Sequence, residues 1–155
     1  MRVLFAHPGA LDYSSVFLRL EPLGLELVAE ATRRAGHQVR LVDLQVEPTR
    51  CFHRMVTEWR SDCIALSCNY LANVPEIIDL AKSTKTALPR AFICVGGHSA
   101  SFTARAITDD SEGAIDCVLK GEGEAGIVKL LKAVAGDSGA LAKLVHPSAD
   151  VTVAY

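Results

Sequence analysis

Five short apolar runs, each followed by a segment of helical pattern, constrain this chain more than any other feature. The runs are Arg2–Ala6, Gln38–Asp43, Cys63–Leu66, Ala91–Val95 and Ile115–Leu119. Most lack strict alternation of apolar and polar residues, as expected of strands covered on both faces. Leu23–Ala35 places apolar residues at 23, 25, 27, 28, 31 and 35, and Arg33–Arg34 suit the negative end of a helix dipole. Val74–Leu88 reads as a helix with Pro75 in its first turn and Pro89 beyond its end, and Glu122–Ala135 as another. Shorter helical patterns cover Phe52–Trp59 and Ala100–Ile107.

Strand–helix alternation at this spacing predicts a parallel sheet with helices on both faces, joined by right-handed crossovers. The expected fold is α/β: a flavodoxin-like (Rossmann-like), doubly wound, three-layer α/β/α domain. Its five-stranded sheet takes the order 2-1-3-4-5, with a ligand crevice between the ends of strands 1 and 3. Residues 1–135 make up this domain. Residues 136–155 read as a linker, an added edge strand or a truncated tail.

Composition excludes several classes. Half of the residues are apolar and 22% are charged, a globular rather than a disordered balance. A net charge of −2 without a basic cluster gives no footprint for nucleic acid. No apolar run approaches the roughly 18 residues of a membrane span. Met1–Ala6 is too short, and too soon interrupted by His7-Pro8, for a signal peptide, so the expected location is cytoplasmic. The five cysteines, at 51, 63, 68, 94 and 117, are odd in number and contain no C-x-x-C pair, which indicates neither a disulfide framework nor a zinc site. Cys63, Cys94 and Cys117 sit in or beside apolar runs and read as buried, inert thiols.

Two strand ends carry small or polar residues. Gly96-Gly97-His98 follows the fourth run, and Ser67-Cys68-Asn69-Tyr70 follows the third. A glycine pair at such a place lets a ligand approach the backbone where a β-carbon would block it. Gly121-Glu-Gly-Glu-Ala-Gly126 matches G-x-G-x-x-G in form, but it falls in the last unit, and Lys143 stands near the place of the expected acid. Glu122 and Glu124 would also repel a pyrophosphate. The motif reads instead as a tight turn whose acids favour a helix start, or as a crevice contact. His7-Pro8 after the first strand and Ser67-Cys68 after the third do not supply the acids of a receiver domain. Nor is residues 7–15 the hydroxyl-rich phosphate loop of a flavodoxin. His7 and His98 remain open between structural roles and crevice roles as ligand or hydrogen-bond partner. No catalytic triad can be assembled, and no residue is assigned a catalytic or metal-ligating role.

The spacing resembles that of cobalamin-binding domains, which carry D-x-H-x-x-G, a spacer, S-x-L, a shorter spacer and G-G. Here 42 residues separate Gly24 from Ser67, and 26 separate Asn69 from Gly96. The frame is kept, but Arg19 stands in the Asp place, Glu21 in the place of the cobalt-binding His, and Asn69 in that of the Leu. This departure is similar to the amino-terminal domain of class B radical SAM enzymes. The matching segments are Glu21–Glu26, Ala35–Asp43, Gly96–Ala100 and Lys120–Glu124. Phe17–Gly24, Asn69–Pro75 and Gly97–Phe102 look most like the hopanoid C-3 methylases.

The resemblance implies base-off cobalamin with no protein nitrogen beneath cobalt, since a carboxylate such as Glu21 suits cobalt less well than imidazole. It places Leu20, Glu21, Leu23 and Gly24 in the cofactor loop. Ser67, Asn69 and Tyr70 would meet the lower face or tail, and Gly96 and Gly97 would leave room for the nucleotide tail. His98, Gly121 and Glu122 would line the outer crevice. None of the five cysteines supplies the C-x-x-x-C-x-x-C that holds a radical SAM iron–sulfur cluster. S-adenosylmethionine and a 4Fe-4S cluster therefore belong to a catalytic radical SAM domain elsewhere, in cis or in trans. The alternatives are a degenerate domain used for protein interaction, and a module for a nucleotide or other small ligand.

Overall fold

The computed structural model describes residues 1–9 and 20–136, together with the backbone of Val151–Val153. Arg19 and Lys143 lie outside the described residues. Five strands, β1 (Arg2–His7), β2 (Gln38–Asp43), β3 (Cys63–Ser67), β4 (Phe92–Gly96) and β5 (Cys117–Leu119), form a parallel sheet. Their order is β2-β1-β3-β4-β5, the doubly wound order expected from the sequence. A sixth strand, β6 (Val151–Val153), lies antiparallel against β5. Between the strands run α1 (Leu23–Arg34), α2 (Thr49–Trp59), α3 (Val74–Ala87), α4 (His98–Asp110) and α5 (Gly123–Ala135). No helix among the described residues is long and apolar enough to cross a membrane.

Two helices begin earlier than their periodicity suggests. Pro48 is extended and precedes the first turn of α2, so the polar residues Thr49–Cys51 are helical before the apolar pattern starts. Gly97 sits before α4 at φ +109°, a conformation that lets the chain turn into the helix at His98 directly from β4. The Ser101 and Thr103 hydroxyls of this helix donate to the carbonyls of Gly97 and Ser99. The helix departs from regular geometry at Thr103, in keeping with such back-bonding.

The sheet divides the core in two. On one face Ile64, Leu66, Ile93 and Val95 pack against Phe52 and Val56 of α2, Ile77 and Leu80 of α3, and Ile107 of α4. On the other, Val3, Phe5, Cys63, Ala65, Cys94 and Cys117 pack against Ala29 of α1 and Ile127, Leu130 and Leu131 of α5. The two faces differ in side-chain size at the sheet centre, and this difference positions the site.

Two glycines of the G-x-G-x-x-G stretch serve packing. A β-carbon on Gly123 would come within 2.6 Å of Val28 Cγ2, and one on Gly126 within 2.9 Å of Leu119 Cδ1. They let α5 lie close against Val28 of α1 and Leu119 of β5, where a larger residue would force those side chains to move. Gly123→Ala should therefore destabilise the fold by about 1–3 kcal/mol, as overpacking does. Adding Val28→Ala should recover most of that loss in urea unfolding. Equal losses with and without Val28→Ala would show that the helix contact is not the cause.

Candidate functional site

A crevice of about 500 Å3 opens at the carboxyl ends of the strands, between the sheet and the starts of α1, α4 and α5. Its floor follows from alternation. In β3 the side chains of Cys63, Ala65 and Ser67 face α1 and α5, while Ile64 and Leu66 face the other way. In β4, Cys94 and Gly96 share the floor face, and Ile93 and Val95 the opposite one. Ala65, Ser67, Cys94 and Gly96 therefore leave a trough, walled by Phe5 of β1 and Leu119 of β5 and roofed by Val28 and Ile127. The volume falls within the range of cofactor clefts, roughly 300–1,000 Å3.

Loop geometry holds the trough open. The Cys68 amide donates to the Gly96 carbonyl at 2.7 Å, and the Cys68 carbonyl accepts from the Ser99 amide at 3.1 Å. Ser99 Oγ donates to the Asn69 carbonyl at 2.8 Å. A β-carbon on Gly97 would meet the Cys68 carbonyl oxygen at 2.7 Å and Asn69 Oδ1 at 2.9 Å. Glycine at 97 is thus required by the contact between the β3 and β4 loops. Gly96 differs: a β-carbon there has only ordinary contact, 3.7 Å from the Leu119 carbonyl oxygen. Across the mouth, the Gly121 amide donates to Ser101 Oγ at 3.3 Å, tying the β5–α5 turn to α4.

Of the residues singled out from sequence, Gly24, Ser67, Asn69, Gly96, Gly97, His98, Gly121 and Glu122 come together on this crevice. His98 stands at the rim with its ring edge-on to Phe102, centroids 5.2 Å apart. Leu20 and Glu21 border a separate hollow of about 310 Å3 beside Asp43 and Val46. The Leu20 carbonyl there accepts from Gln45 Nε2 at 2.9 Å. Leu23 and Tyr70 are exposed and line neither space. Sequence reasoning missed the small floor residues Ala65 and Cys94, although their alternation with bulky neighbours was visible in both runs. It also missed Phe102, the rim aromatic, which is 78% exposed.

The three clustered thiols share protons unequally: contact with Cys117 and Cys63 holds Cys94 well below the usual thiol range. Contact with Cys94 and burial raise Cys63 and Cys117 well above the usual thiol range. Burial pushes Cys68 up to about 11. His7, at the end of β1, is buried with Nδ1 3.3 Å from Ser67 Oγ. Burial lowers its pKa, and the Asp43 charge opposes that effect without overcoming it.

The floor lies over β3 and β4 rather than between the ends of β1 and β3, where the sequence pattern put the crevice. A largely apolar cleft with few polar groups, at the carboxyl ends of a doubly wound sheet, defines a cofactor-binding module. The chain belongs to the B12 binding domain family, whose model matches residues 12–131. Over 135 residues it is 61% identical to the hopanoid C-3 methylase of Methylococcus capsulatus (strain Bath), covering 87% of this chain and 26% of that protein. The chain thus spans about a quarter of that relative's length. Among solved structures, a cobalamin-binding protein from Desulfitobacterium hafniense DCB-2 superposes with a TM-score of 0.67 at 14% identity, covering 87% of this chain and 59% of that one. The cobalamin-dependent S-adenosylmethionine radical enzyme OxsB, with aqua-cobalamin and S-adenosylmethionine bound, also gives 0.67. Its identity is 22%, over 86% of this chain and 19% of OxsB. These two structures share the fold.

The buried imidazole makes stability depend on pH. Unfolding releases His7 to bind a proton that the folded site resists, so the unfolded chain holds more protons as pH falls below 6.5, the ordinary histidine value. Stability should then decline between that value and His7's lower folded one. His37, also lowered, adds the same sign in wild type and variant. The loss of unfolding free energy between pH 7.5 and pH 5.5 should be smaller in His7→Phe than in wild type. Equal losses in urea titrations would show that His7 is not held neutral.

Proposed function

We propose that this chain binds base-off cobalamin, with the nucleotide tail in the crevice and the corrin across its mouth. The observation that carries the reading is the trough over Ala65, Ser67, Cys94 and Gly96, a slot free of large side chains that fits a flat heterocycle. Ser67 and Asn69 contact the tail, with Tyr70 toward the lower face. Gly96 leaves the tail's path open, while Gly97 keeps the two flanking loops together. His98, Gly121 and Glu122 line the outer crevice. The starts of three helices face the mouth, and their partial positive charge suits the anionic phosphate of the tail. Glu21, in the place of the axial histidine, supports a lower cobalt face without a protein nitrogen. Bound cobalamin supplies a cobalt centre that carries a methyl group.

Residues 1–135 form the binding unit, which serves a cytoplasmic radical SAM methyltransferase of the hopanoid C-3 methylase kind. S-adenosylmethionine and the 4Fe-4S cluster belong to its catalytic domain, attached or separate. The 61% identity to such a methylase supports this assignment. So do Tyr70, Leu71 and Phe102, exposed apolar side chains beside the strand ends that a neighbouring domain would cover.

Purified protein mixed with hydroxocobalamin and desalted should retain the corrin spectrum. Gly96→Val, whose side chain enters the slot without a positive-φ penalty, should lose at least tenfold in retention while melting like wild type. A colourless wild type, or full retention by Gly96→Val, would overturn the placement. After reduction to cobalt(II), electron paramagnetic resonance should show cobalt lines without nitrogen splitting. Nitrogen splitting would refute the base-off state lacking a protein ligand.

A further inference from the structure

The last inward-facing row of the sheet is polar on one side and empty on the other. Strand register pairs Asp43 with His7 and Ser67 with Gly96, and His7 adjoins Ser67 because Ala6 pairs with Leu66. All four positions share the α1/α5 face, as do Leu41, Phe5, Ala65 and Cys94 two residues earlier in each strand. The row therefore reads carboxylate, imidazole, hydroxyl, then no side chain. It ends where the trough begins, and Ser67 lines that trough.

Each member has a different commitment. The Asp43 carboxylate accepts from the Gln45 amide at 2.9 Å and from Gln45 Nε2, so it acts on His7 through charge. His7 is 7% exposed and Ser67 5%, and His7 Nδ1 to Ser67 Oγ is the buried contact between them. Beyond His7, Glu76 of α3 holds the Gly9 amide with both carboxylate oxygens, fixing the chain that leaves β1. A lone hydroxyl on an apolar floor could point its hydrogen in several directions. A fixed imidazole beside it selects one.

We propose that His7 is a positioning residue that turns the Ser67 hydroxyl hydrogen toward the trough. Neutral His7 donates its Nδ1–H to Ser67 Oγ, and Ser67 O–H donates to an unprotonated ring nitrogen of the bound tail. This rests on the base-off reading above, because only then does the tail's heterocycle offer a free nitrogen to the slot. The arrangement prefers ligands with an acceptor nitrogen over Gly96, and it gives His7 a role in recognition although it does not line the crevice.

The test is a double-mutant cycle on the full chain, with hydroxocobalamin and the tail-less corrinoid cobinamide titrated by absorbance. His7→Phe and Ser67→Ala should each weaken cobalamin binding by about tenfold, the worth of one hydrogen bond. The double variant should bind no more weakly than Ser67→Ala alone. His7→Asn, whose amide nitrogen can stand near the Nδ1 position, should restore most of the affinity. Cobinamide binding should be unchanged throughout, which a merely structural defect would not spare. Additive losses, or equal losses for cobinamide, would overturn the relay. So would unaltered cobalamin affinity in His7→Phe beside a wild type that binds, leaving the base-off reading intact. A wild type that takes up no cobalamin overturns both.

Discussion

The unequal size of side chains on the two faces of β3 and β4 is the constraint on which the site depends. Ile64, Leu66, Ile93 and Val95 are almost wholly buried on one face, where α2, α3 and α4 complete a dense core. The opposite face carries Cys63, Ala65, Ser67, Cys94 and Gly96, which cannot fill the same depth. Near the amino ends of the strands, Leu130 and Leu131 of α5 make up the difference. Toward the carboxyl ends α1 and α5 are only beginning, so the missing volume becomes a crevice. Because all five strands are parallel, the loops that can line it gather at that one end.

The loops then turn an apolar gap into a shaped slot. Gly97 allows the β4 loop to lie against the Cys68 carbonyl, and α4 consequently starts over the β3 end. At the other wall, Gly123 lets α5 sit against Val28 of α1. Both glycines are demanded by contact within the protein. Gly96 lies between these constraints and is the position where absence of a side chain serves the open space. A glycine pair that reads as one feature in sequence thus has two physical roles.

Strand order, helix placement and most of the crevice were legible because they depend on periodicity and on residues next to strand ends. What stayed hidden depends on tertiary register. His7 follows an apolar run, but nothing local tells that it neighbours Ser67, sixty residues away. Glu21 and Leu20 lie close in sequence to Gly24, yet the hydrogen bond from Gln45 to the Leu20 carbonyl holds their segment against the β2 loop. The G-x-G-x-x-G match could not be separated from a phosphate motif by pattern alone. The contacts of Gly123 with Val28 and of Gly126 with Leu119 show why glycine recurs there.

Under the proposed reading, the crevice and its mouth carry separate duties. The trough is largely apolar and framed by hydrogen-bonded loops, which favours holding an inert part of a cofactor. At the mouth, Tyr70, Leu71 and Phe102 stand at least half exposed. A reactive centre above that mouth would be gripped from below yet remain accessible from above. Such a division would let one chain dictate cofactor binding and leave the reactive face to a neighbouring domain. On this reading the tail adds its anchoring free energy to that of the corrin, and the open face stays available to the domain that performs the reaction.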